Sequence, residues 1–191
     1  MKKGRIEAFS DGVLAIIVTI MVLELKVPEG AEWNALLPLL PKFLSYILSF
    51  MMILIYWNNH HHVFQTVEKV NGKILLANGL LLFFLSLIPF ATAWMGENHF
   101  QSKPVILMGI IFLAAGLSYL LLTNTIIATQ GSNSVLAKAQ ENDWKGTVSW
   151  LGYILGIILG FFYPLISAVI YFLIALLWFI PDKRIERHLK D

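Results

Sequence analysis

Long apolar runs follow one another along this chain, and polar residues are concentrated in the short segments between them. A helix that crosses about 30 Å of hydrocarbon needs about 20 mostly apolar residues. Runs near or above this length predict six transmembrane helices, at residues 6–27, 39–64, 74–94, 105–129, 148–163 and 164–180. The last two runs are continuous. We separate them at Pro164, because proline cannot donate to a continuing helix, and the alternative is a kink in one longer helix.

Composition supports a membrane location. Apolar residues make up 58% of the 191 positions and charged residues 14%, whereas soluble domains contain about 45–50% and about 25%. The predicted fold class is therefore an all-α integral membrane protein, with residues 1–191 forming one six-helix transmembrane unit. The absence of cysteine excludes disulfide bonds, thiolate metal sites and cysteine catalysis.

The distribution of basic residues predicts the orientation, since lysine and arginine accumulate on cytoplasmic loops. Six spans leave three basic residues outside, namely Lys26, Lys42 and Lys103. The other eleven lie inside: Lys2, Lys3, Arg5, Lys69, Lys73, Lys138, Lys145, Lys183, Arg184, Arg187 and Lys190. With five spans, seven basic residues lie inside and seven lie outside. We therefore expect six spans with both termini in the cytoplasm.

Two polar clusters, at residues 5–12 and 56–62, lie toward the cytoplasmic ends of the first two predicted helices. An unpaired ion at the centre of a membrane helix costs at least about 2.5–3.5 kcal/mol, so such residues need protein partners. We expect Asp11 to be buried against Arg5 or against polar groups of the second helix. This contact either only locks two helices together or also positions a pore helix and responds to histidine protonation.

The first predicted helix carries a narrow stripe of small, branched and hydroxyl side chains at spacings of three and four. The stripe consists of Gly12, Ile16, Thr19 and Leu23, and a neighbouring one of Asp11, Ala15, Thr19 and Val22. Each set lies on one helical face. Small residues favour close packing against another helix, whereas apolar rings and hydroxyl layers also line ion pores. Both interpretations stay open on the residues alone.

Motifs of metal binding and catalysis are missing from the sequence. His60, His61 and His62 are consecutive and point about 100° apart on a helix, so they cannot converge on one ion. No phosphate-binding glycine loop, no Gly-x-Ser-x-Gly turn and no pair of intramembrane aspartates occurs. We therefore predict neither an enzyme nor a metal site.

Two observations on glycine motifs bear on helix packing and on ion selectivity. Gly152, Gly156 and Gly160 recur every four residues and predict close helix packing. The Thr-Val-Gly-Tyr-Gly filter of ordinary potassium channels is absent, so any potassium selectivity must have another origin.

The pattern Arg5-x-x-x-Phe9-Ser10-Asp11 at the start of the first helix resembles the signature of the transmembrane protein 175 family. This family comprises the lysosomal potassium channels of animals and their bacterial relatives. The resemblance extends through Trp57, Asn58 and His61 and through the six-helix layout. The animal pattern has a second six-helix repeat that this chain lacks, so the chain is similar to the single-repeat bacterial form.

The resemblance implies a homotetramer in which four copies of the first helix surround a pore. Ile16 then matches a narrow hydrophobic ring, Thr19 a hydroxyl layer and Leu23 a second apolar ring, with Gly12 on the same face. A polar network links the first helix to the second; its expected members are Arg5, Phe9, Ser10, Asp11, Trp57, Asn58 and His61. Which of the adjacent histidines takes part stays open.

The implied function is a potassium-permeable channel in a prokaryotic plasma membrane. Its expected partners are its own copies, potassium ions and the lipid bilayer, without nucleic acid and without a cofactor other than the permeant ion. Apolar rings would select by the cost of ion dehydration and would gate by losing water. The alternatives are a proton-permeable or proton-regulated pathway through Asp11 and a histidine, and a non-conducting accessory subunit.

Overall fold

The structure, a computed structural model, describes residues 3–141 and 143–179, and within these residues every regular element is helical. A 3-10 segment at Trp33–Leu39 precedes the second helix. The α-helices are α1 (Lys3–Leu23), α2 (Leu40–Gln65), α3 (Gly72–Ser86), α4 (Ile88–Glu97), α5 (Ser102–Gln130), α6 (Val135–Gln140), α7 (Trp144–Gly160) and α8 (Pro164–Phe179). The prediction of an all-helical protein is confirmed for this part of the chain.

Four segments of the described chain are long and apolar enough to cross a membrane, and they coincide with the first four predicted spans. They are Lys3–Leu23, Trp33–Gln65, Gly72–Glu97 and Ser102–Gln130. The third combines α3 and α4. The two helices are interrupted at Leu87, because Pro89 in the first turn of α4 has no backbone N–H to donate to a carbonyl oxygen of α3. The predicted fifth and sixth spans correspond to α7 and α8, which have 17 and 16 residues.

The chain reverses direction between α7 and α8. α7 ends at Gly160 and Pro164 opens α8, where a missing N–H removes no helical hydrogen bond. The two helices then pack against each other in antiparallel order, with Gly152 beside Ile174, Gly156 beside Tyr171 and Gly160 beside Ser167. The predicted reversal at Pro164 and the close packing of the glycines are therefore confirmed, and the kinked single helix is excluded.

The helix α5 occupies the centre of the bundle and packs against α3, α4, α7 and α8. α1 lies at one side, against α2, α3 and α4. Side chains between these helices are almost fully buried, among them Phe64, Leu81, Ile88 and Phe112. Lipid is as apolar as these side chains, so helix association depends on close packing and interhelical hydrogen bonds. The basic residues Lys2, Lys183, Arg184, Arg187 and Lys190, which the orientation argument uses, lie outside the described residues.

Candidate pore helix and the polar network that holds it

The helix α1 has one packed face and one open face. Its buried residues are Ile6, Ser10, Leu14, Ile17 and Met21, which follow helical spacing and point into the bundle. On the opposite side lies the predicted stripe of Gly12, Ile16, Thr19 and Leu23, which is exposed along its whole length. Ile16 is 59% exposed and Leu23 is 78% exposed. α1 therefore directs its stripe of small and branched residues away from its own chain.

Backbone and side-chain details leave this open face unobstructed. A Cβ atom added at Gly12 would meet no atom within 4 Å, so no part of the same chain covers that position. The Thr19 hydroxyl donates to the carbonyl oxygen of Ile16 over 2.8 Å. This bond satisfies the hydroxyl hydrogen within α1, and the oxygen of Thr19 keeps lone pairs that can accept from water.

A buried chain of hydrogen bonds connects α1, α3 and α2. The side-chain amide of Asn78 donates to Ser10 Oγ over 3.0 Å, and its Oδ1 lies 2.8 Å from His60 Nε2. Because a carbonyl oxygen accepts, Nε2 of His60 carries the hydrogen in this arrangement. All three side chains are at most 4% exposed. The His60 ring also stacks on Phe64, with 4.3 Å between ring centroids.

A second contact joins α1 and α2, on the side where both helices are exposed. Trp57 Nε1 donates to Asp11 Oδ1 over 3.0 Å. The Trp57 indole stacks on the His61 ring at 6.4 Å between centroids, and His61 Nε2 lies 2.9 Å from the side-chain nitrogen of Gln65. Asp11 is exposed in the single chain rather than buried as expected. The pore-helix candidate is thus held by one buried and one accessible set of hydrogen bonds.

Several residues predicted for the network lie apart from it. Among the described residues, the side chains of Arg5 and Asn58 are exposed and make no hydrogen bond or ion pair. Phe9 is 65% exposed and points away from the bundle. Of the histidines, the buried one is His60, which is linked to α1 only through Asn78, whereas His61 stands on the exposed side.

Sequence reasoning missed Asn78, which is the central member of the buried chain. A signal for it existed, because Asn78 is a lone amide within the otherwise apolar run of α3. A polar side chain in such a run needs a partner inside the protein, which points to an interhelical bond. Among the described residues no group of three histidine, aspartate or glutamate side chains is arranged to hold a metal ion.

Comparison with known proteins identifies the family. The model of the family described as "Endosomal/lysosomal potassium channel TMEM175" matches residues 5–89, which include Ser10, Asp11, Trp57, His60 and Asn78. A protein of Chryseobacterium sp. (strain P1-3) named as a potassium channel is 58% identical over 191 residues, covering 100% of both chains. The chain belongs to the TMEM175 family.

Other TMEM175 relatives extend the likeness to three dimensions and to animals. A crystal structure from Chamaesiphon minutus, described as a homolog of the lysosomal potassium-selective channel TMEM175, superposes with a TM-score of 0.81. It shares 30% identity, and the match covers 93% of this chain and 96% of that one. The mouse protein named endosomal/lysosomal proton channel TMEM175 is 31% identical over 144 residues, which is 66% of this chain and 29% of the mouse protein.

Membership of the TMEM175 family settles the broad class. The family and the relatives named above are ion channels, so the chain is a channel-family protein and not an enzyme. Its apolar helices and its bacterial relatives make it a multi-pass membrane protein, as the sequence predicts. The resemblance found at Arg5, Phe9, Ser10 and Asp11 is thereby confirmed.

Proposed function

We propose that the chain is one subunit of a potassium-permeable channel of a prokaryotic plasma membrane, in which four copies of α1 surround the pore. The observation that carries this proposal is the open stripe of Gly12, Ile16, Thr19 and Leu23 on a helix whose other face is packed. A helix exposed on one face can meet symmetry-related copies of itself around an axis. The name of the Chryseobacterium relative, potassium channel, supports the choice of ion.

The proposed subunit is residues 1–191, with α7 and α8 supplying the fifth and sixth membrane crossings and both termini in the cytoplasm. Its support is the antiparallel pairing of α7 with α8 and the excess of basic residues on the predicted inner side. In this arrangement the polar network lies toward the cytoplasmic half of α1. The residues Ser10 and Asp11 fix the rotation of α1, so that Ile16 points to the axis.

Selectivity in the proposed pore comes from dehydration at apolar rings. Four Ile16 side chains offer no lone pairs to replace lost water, and Leu23 would form a second such ring. Potassium holds its hydration shell less strongly than sodium, so it passes an isoleucine ring more readily. The same ring gates by losing its water when the helices approach. The Thr19 oxygens, between the two apolar rings, rehydrate or contact the ion.

The test is ion flux through purified protein in liposomes, with Ile16→Asn as the key variant. We expect the wild type to pass potassium faster than sodium, and Ile16→Asn to increase flux and reduce the preference, because amides attract water. Ile110→Asn is the matched control, since Ile110 lies on α5 and is 47% exposed. Silent wild-type vesicles would favour the accessory-subunit alternative. Equal flux through Ile16→Asn and Ile110→Asn would show that Ile16 does not line the pore.

Proton permeation is a second candidate function. It is supported by the buried Ser10–Asn78–His60 chain, in which a titratable ring lies next to the pore-helix candidate, and by the name of the mouse relative, a proton channel. Reversal potentials distinguish the two functions. A potential that follows an imposed potassium gradient supports potassium permeation, whereas one that follows the pH gradient supports proton permeation.

A further inference from the structure

An open groove of about 1080 Å³ lies between the first turns of α3 and the last turns of α5. On its other side α3 packs against α1, and Asn78 faces α1 through its bond to Ser10. Leu76 lines the groove and lies about 200° from Asn78 around the axis of α3, because successive helical residues are about 100° apart. The groove is therefore on the side of α3 that faces away from α1, where lipid can reach it.

The groove lies where the exposed surface of both helices changes from apolar to polar. On α3, Leu76 and Phe83 are 78% and 55% exposed, whereas Lys73, one turn before Leu76, is an exposed cation. On α5, Leu121 is 48% exposed, and the exposed Asn124 follows it. Exposed apolar side chains of a membrane helix contact hydrocarbon, and exposed polar ones lie at the level of the lipid headgroups. In the proposed orientation this is the headgroup level of the inner leaflet.

The described lining of the groove contains a free cation and no carboxylate. Lys73 lines one wall and makes no ion pair or hydrogen bond with the described residues. Asn124 lines the opposite wall, and its side-chain amide likewise has no hydrogen-bond partner in the described part of the chain. Both side chains can donate to a phosphate oxygen. The groove therefore matches a ligand with an anionic head that accepts hydrogen bonds.

Hydrogen bonds fix the two walls of the groove relative to each other. Asn71 Oδ1 accepts from the backbone N–H of Ile74 over 2.9 Å, and Asn71 Nδ2 donates to Thr129 Oγ1 over 3.1 Å. The Thr129 hydroxyl in turn donates to the carbonyl oxygen of Thr125 over 2.9 Å. These bonds join the start of α3 to the end of α5, so the groove is formed before any ligand binds.

We propose that the groove binds one anionic phospholipid of the inner leaflet, with its phosphate at Lys73 and Asn124 and an acyl chain along Leu76. A lipid suits the groove better than a free anion, because the polar end continues into the apolar, lipid-facing side of α3. Anionic lipids attract lysines that lie close to the membrane surface. The choice of leaflet rests on the proposed orientation, whereas the binding itself does not. The bound lipid supports α3 on the face opposite Asn78.

Binding is tested on the purified full-length protein in detergent, by native mass spectrometry during titration with a phospholipid. Dioleoylphosphatidylglycerol is the anionic probe, and dioleoylphosphatidylcholine has the same acyl chains without net charge. We expect one phosphatidylglycerol per chain to bind saturably and phosphatidylcholine to bind about fivefold more weakly, because the latter offers no net charge to Lys73. Equal affinity for the two lipids, or no saturable binding of phosphatidylglycerol, would overturn the proposal.

A pair of lysine variants locates the headgroup. Lys73→Gln nearly keeps the length of the side chain and removes its charge, so it should weaken phosphatidylglycerol binding about fivefold and leave phosphatidylcholine binding unchanged. Lys69→Gln is the matched control, because Lys69 is exposed in the segment before α3 and does not line the groove. It should bind phosphatidylglycerol as the wild type does. Equal affinity of the two variants would show that Lys73 does not contact the lipid, and the assignment would be wrong.

A steric variant and a competition experiment complete the test. Ala128 is exposed and lines the groove, so Ala128→Phe should reduce phosphatidylglycerol binding severalfold, whereas Ala31→Phe, in the segment between α1 and α2, should not. Wild-type affinity in a folded Ala128→Phe would place the lipid elsewhere. Excess inorganic phosphate at constant ionic strength should leave lipid binding unchanged, and displacement of the lipid would instead indicate a site for a free anion. Because the readout is lipid binding rather than flux, failure here leaves the proposed channel function untouched.

Discussion

Trp57 on α2 and Asp11 on α1 are joined by a hydrogen bond of 3.0 Å between the indole Nε1 and the carboxylate Oδ1. The adjacent residue of α1, Ser10, points to the other side and is bonded to Asn78 of α3. Two neighbouring residues of one helix are thus fixed by partners on two different helices. This pair of contacts restrains rotation of α1 about its own axis, and rotation decides which residues face outward.

Replacing Trp57 with phenylalanine tests the exposed hydrogen bond between Trp57 and Asp11. Trp57→Phe keeps an aromatic ring beside His61 and removes the donor to Asp11, so the free energy of unfolding should fall by about 1 kcal/mol. Asp11→Asn retains a carbonyl acceptor and should cost less. The measurement is the midpoint of denaturation in mixed micelles. An unchanged midpoint for Trp57→Phe would mean that the bond contributes nothing to stability.

Replacing Asn78 tests the buried hydrogen bonds that link Ser10, Asn78 and His60. Asn78→Leu leaves both Ser10 and His60 without their partner in a site that water does not reach, and we expect a loss of about 2 kcal/mol. Asn58→Leu is the matched control, because Asn58 is exposed and has no hydrogen bond within the described chain, and it should change stability by less than about 0.5 kcal/mol. Equal unfolding midpoints of the two variants would contradict this account.

Gly156 tests the packing of α7 on α8. A Cβ at this position would overlap the ring of Tyr171, which is fully buried and also packs against Phe112. Gly156→Ala should therefore destabilise the protein by about 1–3 kcal/mol. At Gly79, on α3, a Cβ would meet nothing within 4 Å, so Gly79→Ala should be neutral or stabilising by up to about 1 kcal/mol. Thermal unfolding in detergent compares the two, and a neutral Gly156→Ala would show that the helices can separate at little cost.

Thr19 tests the hydroxyl layer of the proposed pore. Thr19→Val has nearly the same shape, and the lost hydroxyl bonds only to the Ile16 carbonyl of its own helix, so stability should not change. Potassium flux in liposomes should fall severalfold, because the ion loses an oxygen between the two apolar rings. Thr125→Val on α5 removes an equivalent hydroxyl, bonded to the Leu121 carbonyl, and should leave flux unchanged. Matching flux in the two variants would exclude Thr19 from the conduction path.

The sequence by itself determined the features that depend only on the order and spacing of residues along the chain. Apolar length defines the first four spans, since hydrocarbon thickness sets the number of residues a helix needs. Pro164 marks the reversal between α7 and α8, because a missing N–H is tolerated at a helix start. The shared face of Gly12, Ile16, Thr19 and Leu23 also followed from the sequence, since a period of 3.6 residues places those positions together, whereas the packing of the opposite face in the structure showed that this one is open.

Only the tertiary structure decided which polar groups meet. His60, His61 and His62 are indistinguishable along the chain, and the rotation of α2 alone places His60 inside and His61 outside. Asn78 became the centre of the buried chain because α3 passes between Ser10 and His60. α3 is apolar on nearly all sides, and lipid does not distinguish one apolar face from another. Its orientation is therefore set by close packing and by the few hydrogen bonds that neighbouring helices can complete.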